Sequence, residues 1–229
     1  GKTPVSLAFL DENNNAEYTF YHQFPADRLN VAIPLINEGD IVIFGSYFSV
    51  NPVLRNRITE ILEFANTRKA IVYYDPNFRK AHSHEAMELK PSIIENLEYA
   101  NIVRGSDEDF ETLYKLDNPD KIYLDKIKFY CPNFIYTRGG NGVEFYCQQG
   151  QRHFDAPVID KPISTIGAGD TFNAGIIFGL IRHNITLDNL NSLTLDEWAP
   201  IVQYALDFSS QVCMSHENYL PTEVAARYQ

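Results

Sequence analysis

Apolar residues fall along this chain in two textures. In the first thirty positions two runs, Val5–Leu10 and Ala16–Tyr21, flank the polar break Asp11–Asn15. The second run alternates in character and the Asn-rich break tolerates positive φ, so the spacing predicts a hairpin. After Pro25 and Pro34 the texture changes. From residue 40, short continuous apolar runs alternate with segments of helical spacing. Ile41–Phe44 reads as a strand ended by Gly45. Asn51 and Pro52 open a helix to about Ala65, with Leu54, Ile58, Ile61, Leu62 and Ala65 on one side. Ala70–Tyr74 is the next strand and stops at Asp75–Pro76–Asn77. A helix over Pro91–Tyr99, a strand over Ala100–Val103 and a helix over Asp107–Leu116 follow. Phe134–Thr137 and Val143–Cys147 read as strands, and Thr171–His183 and Asp196–Met214 as the last two helices.

Short apolar strands alternating with helices imply an α/β fold: a Rossmann-like, mostly parallel sheet sandwiched by helices, with an N-terminal β-hairpin attached. The 229 residues suit one domain with a small appendage, divided here as 1–30 and 31–229. A chain of that size buries roughly 70% of its extended surface, enough for its own core. Ligands of open α/β sheets bind beyond the C-terminal ends of the strands. That rule directs attention to Gly45–Ser46, Asp75–Arg79, Val103–Ser106, Thr137–Gly140 and the segment before Thr171.

Composition narrows the function. Nineteen basic against thirty acidic residues give a net charge of −11, a field that repels phosphate backbones, so no nucleic-acid partner is expected. Apolar runs such as Ile41–Phe44 are far shorter than the ~20 residues of a membrane-spanning helix, and no membrane partner is expected. No basic-then-apolar leader opens the chain. Cys131, Cys147 and Cys213 are scattered and odd in number, the usage of reduced thiols in a cytoplasmic protein. His82 and His84 stand two apart and would not share a helix face, so they are not read as a metal pair. Gly1–Lys2–Thr3 matches the tail of a P-loop without the glycine, strand and loop that cradle a phosphate.

Four segments carry chemistry. In Ser164–Gly175, Gly167 and Gly169 let a backbone approach a ligand, and the apolar helix that follows offers unpaired N–H groups and a positive dipole end to a phosphate. Asp170, at the mouth of that turn, can take the proton of an attacking hydroxyl; the same string also reads as a Gly-rich turn with Asp170 as N-cap. Asp75–Pro76–Asn77–Phe78–Arg79 puts a guanidinium at a strand end, where it suits phosphate oxygens, or else is an Asp-Pro turn with a surface Arg. Ser106–Asp109 is either an acid placed for a metal or a helix-capping box. Thr137–Gly142 is either a phosphate-lining turn or a plain hairpin turn.

Taken together these strings resemble the ribokinase-like, or phosphofructokinase-B type, carbohydrate kinases. Gly167–Ala168–Gly169–Asp170–Thr171–Phe172, followed by Asn173–Ala174–Gly175, is similar to that family's signature. The resemblance implies Asp170 as catalytic base and Gly167, Ala168 and Gly169 as the anion hole. It implies Asn77 and Arg79 near sugar and transferring phosphate, and Ser106 and Asp109 in place of the family's Asn and Glu, the acid organising Mg2+ through water. It implies Thr137, Arg138, Gly139 and Gly142 along the nucleotide phosphates. ATP and a small carbohydrate are the implied ligands, with the hairpin as part of a lid that leaves open a homodimer. The Asp-Pro-Asn-x-Arg string is most similar to the fructokinase and 2-keto-3-deoxygluconate kinase branches, with fructose the first expectation.

Three departures qualify the likeness. The family carries roughly 80 to 100 further N-terminal residues, with an Asp for sugar hydroxyls and a Gly-Gly loop, so the chain is expected to lack part of the pattern. Ser164 stands where the family often has the Asp of a monovalent-cation site, so potassium dependence does not carry over. Ser215–Pro221 replaces the Gly-Ala pair of the adenine-side loop. The rival expectation is a sugar- or nucleotide-binding regulator that kept the fold without catalysis. A Rossmann oxidoreductase is disfavoured, because no strand leads into Gly-x-Gly-x-x-Gly with an acid about 20 residues on.

Overall fold

A computed structural model describes residues 3–10, 16–21, 24 and 27–228, with the side chains of 10, 16–18 and 20 left aside. The Asp11–Asn15 break and the Gly1–Lys2 pair lie outside the described residues. Strands β1 (Val5–Leu10) and β2 (Ala16–Tyr21) pair antiparallel, Val5 opposite Tyr21 and Leu7 opposite Thr19. The main sheet has six strands: β3 (Ile41–Gly45), β4 (Ile71–Asp75), β5 (Ile102–Ser106), β6 (Asn133–Thr137), β7 (Val143–Cys147) and β8 (Gly150–Phe154). They lie side by side in chain order, β3 to β6 parallel and β7 and β8 antiparallel.

Every residue of β4 and of β6 is buried. Alternate side chains of β4 serve opposite layers, as the pleat requires. Ile71 and Tyr73 join one core with α6 (Ala168–Arg182) and α8 (Leu195–Cys213). Val72 and Tyr74 face the other layer, built on α2 (Arg55–Thr67), α4 (Asp107–Tyr114) and the residues around Ile127, while α3 (Ala86–Tyr99) closes the same side. Short helices α1 (Ser46–Val50), α5 (Pro119–Ile122), α7 (Leu187–Leu190) and α9 (Thr222–Ala225) complete the α-helices among the described residues. The expected sandwich is therefore what forms.

Strand β5 runs over Ile102–Ser106 instead of Ala100–Val103 and α2 begins at Arg55 instead of Asn51, and three further differences have a physical reason. Strand β8 has the polar sequence Gly-Gln-Arg-His-Phe and only half-buried or exposed residues; pairing with β7, not apolar pattern, makes it a strand. Helix α3 starts at Ala86 and runs through Pro91; the carbonyl that Pro91 leaves without a donor belongs to the exposed Met87, where water can serve it. Helix α6 starts at Ala168 instead of Thr171, because Gly167 takes the left-handed conformation at φ 83° and Thr171 N–H closes the first turn on Gly167 O at 2.9 Å.

Candidate active site

Helix α6 is held still by its own sequence. Phe172, Ile176 and Leu180 are buried on one core, each worth roughly 1.5–3 kcal/mol of burial. Its contact with α8 is close enough that a Cβ on Gly175 would come within 2.4 Å of Ala205 Cα. The N-terminus of α6 is thereby fixed at the C-terminal edge of the sheet. Ala168 N–H donates to Thr165 O at 3.2 Å, whereas Gly169 and Asp170 N–H belong to the first turn and find no partner within the helix. Two amides and the positive end of a buried helix thus face a cleft of about 1430 Å³. Asp170 lines that cleft as an exposed carboxylate.

The cleft gathers the sequence-expected residues on one edge. Asn77 and Arg79 follow β4, Ser106 and Asp109 straddle the end of β5, and Thr137, Arg138, Gly139 and Gly142 follow β6. All of them line it together with Gly167, Ala168, Gly169 and Asp170. Individual side chains differ in what they do there. Arg138 turns its guanidinium to Glu144 at 2.5 Å. The Ser106–Asp109 capping box is formed: Asp109 Oδ2 accepts from Ser106 N–H at 2.8 Å and from its hydroxyl at 2.7 Å. Burial, then the charge of Asp75, raises the Asp109 pKa against the opposing pull of Arg104 and the Ser106 bonds. Asn77 sits at φ 38°, held in a tight turn by its N–H to Asp75 Oδ1 at 3.1 Å.

Beneath these groups runs a buried polar chain in which sequence reasoning assigned a role to Thr137 and none to Tyr73, Arg104 or Asn173 individually. Tyr73 OH donates to Asn173 Oδ1 at 2.9 Å, and Asn173 Nδ2 donates to Asp75 Oδ2 at 2.7 Å. Arg104 Nη1 donates to the same Asp75 oxygen at 3.0 Å and Nη2 to Thr137 Oγ1 at 2.8 Å. Burial works against the Arg104 charge, yet Asp75 and Asp109 outweigh it and lift the guanidinium pKa above its ordinary value. A single arginine inside an otherwise apolar strand was the available signal.

Magnesium, the ion the resemblance implies, takes oxygen ligands and keeps several waters. Among the described residues no group of three or more His, Cys, Asp or Glu side chains could hold a metal. One buried carboxylate beside a phosphate-sized cleft fits an ion that keeps its waters and arrives on phosphate oxygens.

A mostly parallel sheet, with a helix start, a hydroxyl and guanidinium groups lining one cleft at its C-terminal edge, defines an α/β protein. The chain belongs to the pfkB family of carbohydrate kinases, whose pattern matches residues 1–223. It is 23% identical over 199 residues to Fructokinase-1 of Oryza sativa subsp. japonica, covering 84% of this chain and 61% of that protein. It is 26% identical over 200 residues to the fructokinase of Rhizobium leguminosarum bv. trifolii, covering 86% and 60%. The chain thus spans about three fifths of the length of these curated relatives. The fold matches fructokinase from Vibrio cholerae O395 in its fructose, ADP and calcium-bound form, with a TM-score of 0.79 at 20% identity over 100% of this chain and 74% of that one. It also matches aminoimidazole riboside kinase from Salmonella enterica, with a TM-score of 0.67 at 21% identity over 82% and 61%. No helix among the described residues is long and apolar enough to cross a membrane.

Proposed function

We propose that the protein carrying this chain transfers the γ-phosphoryl group of ATP to a hydroxyl of a small carbohydrate, with fructose the first candidate. The observation that carries the reading is convergence: three strand-end segments, from Asn77 to Gly142, line one cleft together with the helix start at Gly167–Asp170. The Gly167–Ala168–Gly169 turn, whose Ala168 N–H is taken by Thr165 O, offers the Gly169 and Asp170 amides to charge on the transferred group, and Asp170 takes or orients the proton of the attacking hydroxyl. Arg79, Thr137, Arg138, Gly139 and Gly142 steady the nucleotide phosphates, with Asn77 on the sugar side and Ser106 at the phosphate side. Bound Mg2+, met by Asp109, would neutralise phosphate charge. Phosphoryl transfer depends mainly on positioning and electrostatics, which suits a site with few reactive groups.

Fructose is favoured by the relatives named fructokinase and by the Vibrio structure with that sugar. The reading includes residues 1–30 as a lid that excludes water. The hairpin shows Val5, Leu7, Phe9 and Tyr21 exposed, a surface that suits a homodimer contact, and three free cysteines suit the cytoplasm. The test is ADP release by the intact protein against fructose, ribose, a nucleoside and 2-keto-3-deoxygluconate. Turnover with one sugar far above background ATP hydrolysis is expected. A sugar that raises the melting temperature without any ADP release would instead make the protein a binding regulator.

A further inference from the structure

Arg104 has a costly position. It is 8% exposed and still lines the cleft. Its Nε is buried without a hydrogen-bond partner. A buried ion pair such as Arg104–Asp75 is a weak source of stability, since well-packed apolar side chains do as well, and an unpaired buried donor adds to the cost. What the guanidinium gains is reach. It bonds β4 through Asp75 and β6 through Thr137, and stands 5.7 Å from the centre of the Phe172 ring. Its Nη1 lies 3.2 Å from the point where a Cβ on Gly169 would stand, so the first turn of α6 rests on it.

We propose that Arg104 is a positioning residue for phosphoryl transfer, aligning the Thr137 hydroxyl and the Gly169–Asp170 amides on one phosphate group; this rests on the kinase reading above. The Thr137 oxygen accepts from Arg104, so its own proton must leave on the far side. Its acceptor in this structure is Gly105 O at 3.4 Å, a long bond that a phosphate oxygen can replace. The buried charge also offsets the acids around it. Lys80 lies 3.6 Å from Glu108, and Arg138 is turned to Glu144, whereas Arg104 sits directly under the helix start.

The experiment compares Arg104→Lys and Arg104→Met with the unaltered intact protein by melting temperature, steady-state kinetics and calorimetric ADP binding. Misplaced donors should lower kcat about 10²-fold in the folded Lys variant and further in Met, with the sugar KM within about twofold. A merely structural role would lower melting temperature and leave the turnover of folded enzyme intact; kcat within about twofold of normal in folded Arg104→Lys overturns the proposal. Should the Met variant fail to fold, the Lys variant decides. Should the unaltered protein turn over no sugar, the kinase reading falls, and ADP affinity decides for Arg104. A loss of about tenfold in Arg104→Lys upholds its alignment of phosphate donors, and unchanged or absent ADP binding refutes it.

Discussion

Helices α4 and α6 both begin with an aspartate at their third position, and the two acids have opposite fates. Before α4 stands Ser106, whose hydroxyl accepts from Asp109 N–H at 3.2 Å while the Asp109 carboxylate folds back onto Ser106. That acid is buried, with its Oδ2 bonded back to the helix end. Before α6 stands Gly167, which has no side chain to complete a box, and no side-chain cap is present. Asp170 has no hydrogen bond or ion pair to any described residue and faces the cleft as an exposed carboxylate. The difference shows that an acid stays exposed where the local capping solution is withheld. The left-handed Gly167 supplies the turn and keeps the carboxylate unclaimed.

The sharpest way to break this contrast is Asp170→Asn in the intact protein. Turnover should fall about 10²–10⁴-fold, as for loss of a general base, with sugar KM nearly constant. Near-normal turnover would reduce Asp170 to a partner of the helix dipole. A smaller effect is expected for Gly167→Ala, where the added Cβ meets Asn218 O at 2.6 Å on a backbone with φ 83°. Strain of about 1–3 kcal/mol should appear in denaturant unfolding, and a variant as stable as the parent would contradict it. Smallest is Ser106→Ala, which removes the α4 cap and should cost about 1 kcal/mol in the same measurement. A larger stability loss from Asp170→Asn than from Ser106→Ala would invert the comparison.

Much of this was legible in the sequence, for physical reasons that can be named. Strands β4 and β6 are buried on both faces, so unbroken apolar runs marked them. The Gly167–Asp170 turn was open to two readings taken alone, and its likeness to a family signature singled it out; Gly167, not Asp170, is the residue that caps α6. What stayed hidden depended on partners distant in sequence. Strand β8 exists through its pairing with β7. Helix α6 begins three residues early because Gly167 caps it in a conformation that spacing does not reveal. Asp75, Arg104 and Asn173 acquire meaning only when β4, β5 and α6 bring them together. Ser106 and Asp109 were open to two readings, and the capping box is present while any metal contact is a matter for the proposal.

The order of the sheet has a consequence for how the chain is made. From β3 to β8 each strand lies beside the one before it, so a strand leaving the ribosome meets an edge already laid down. Helix α6, which completes the cleft, is synthesised after all of them. A nascent chain therefore has the strands of its sheet before the helix start that lines its cleft.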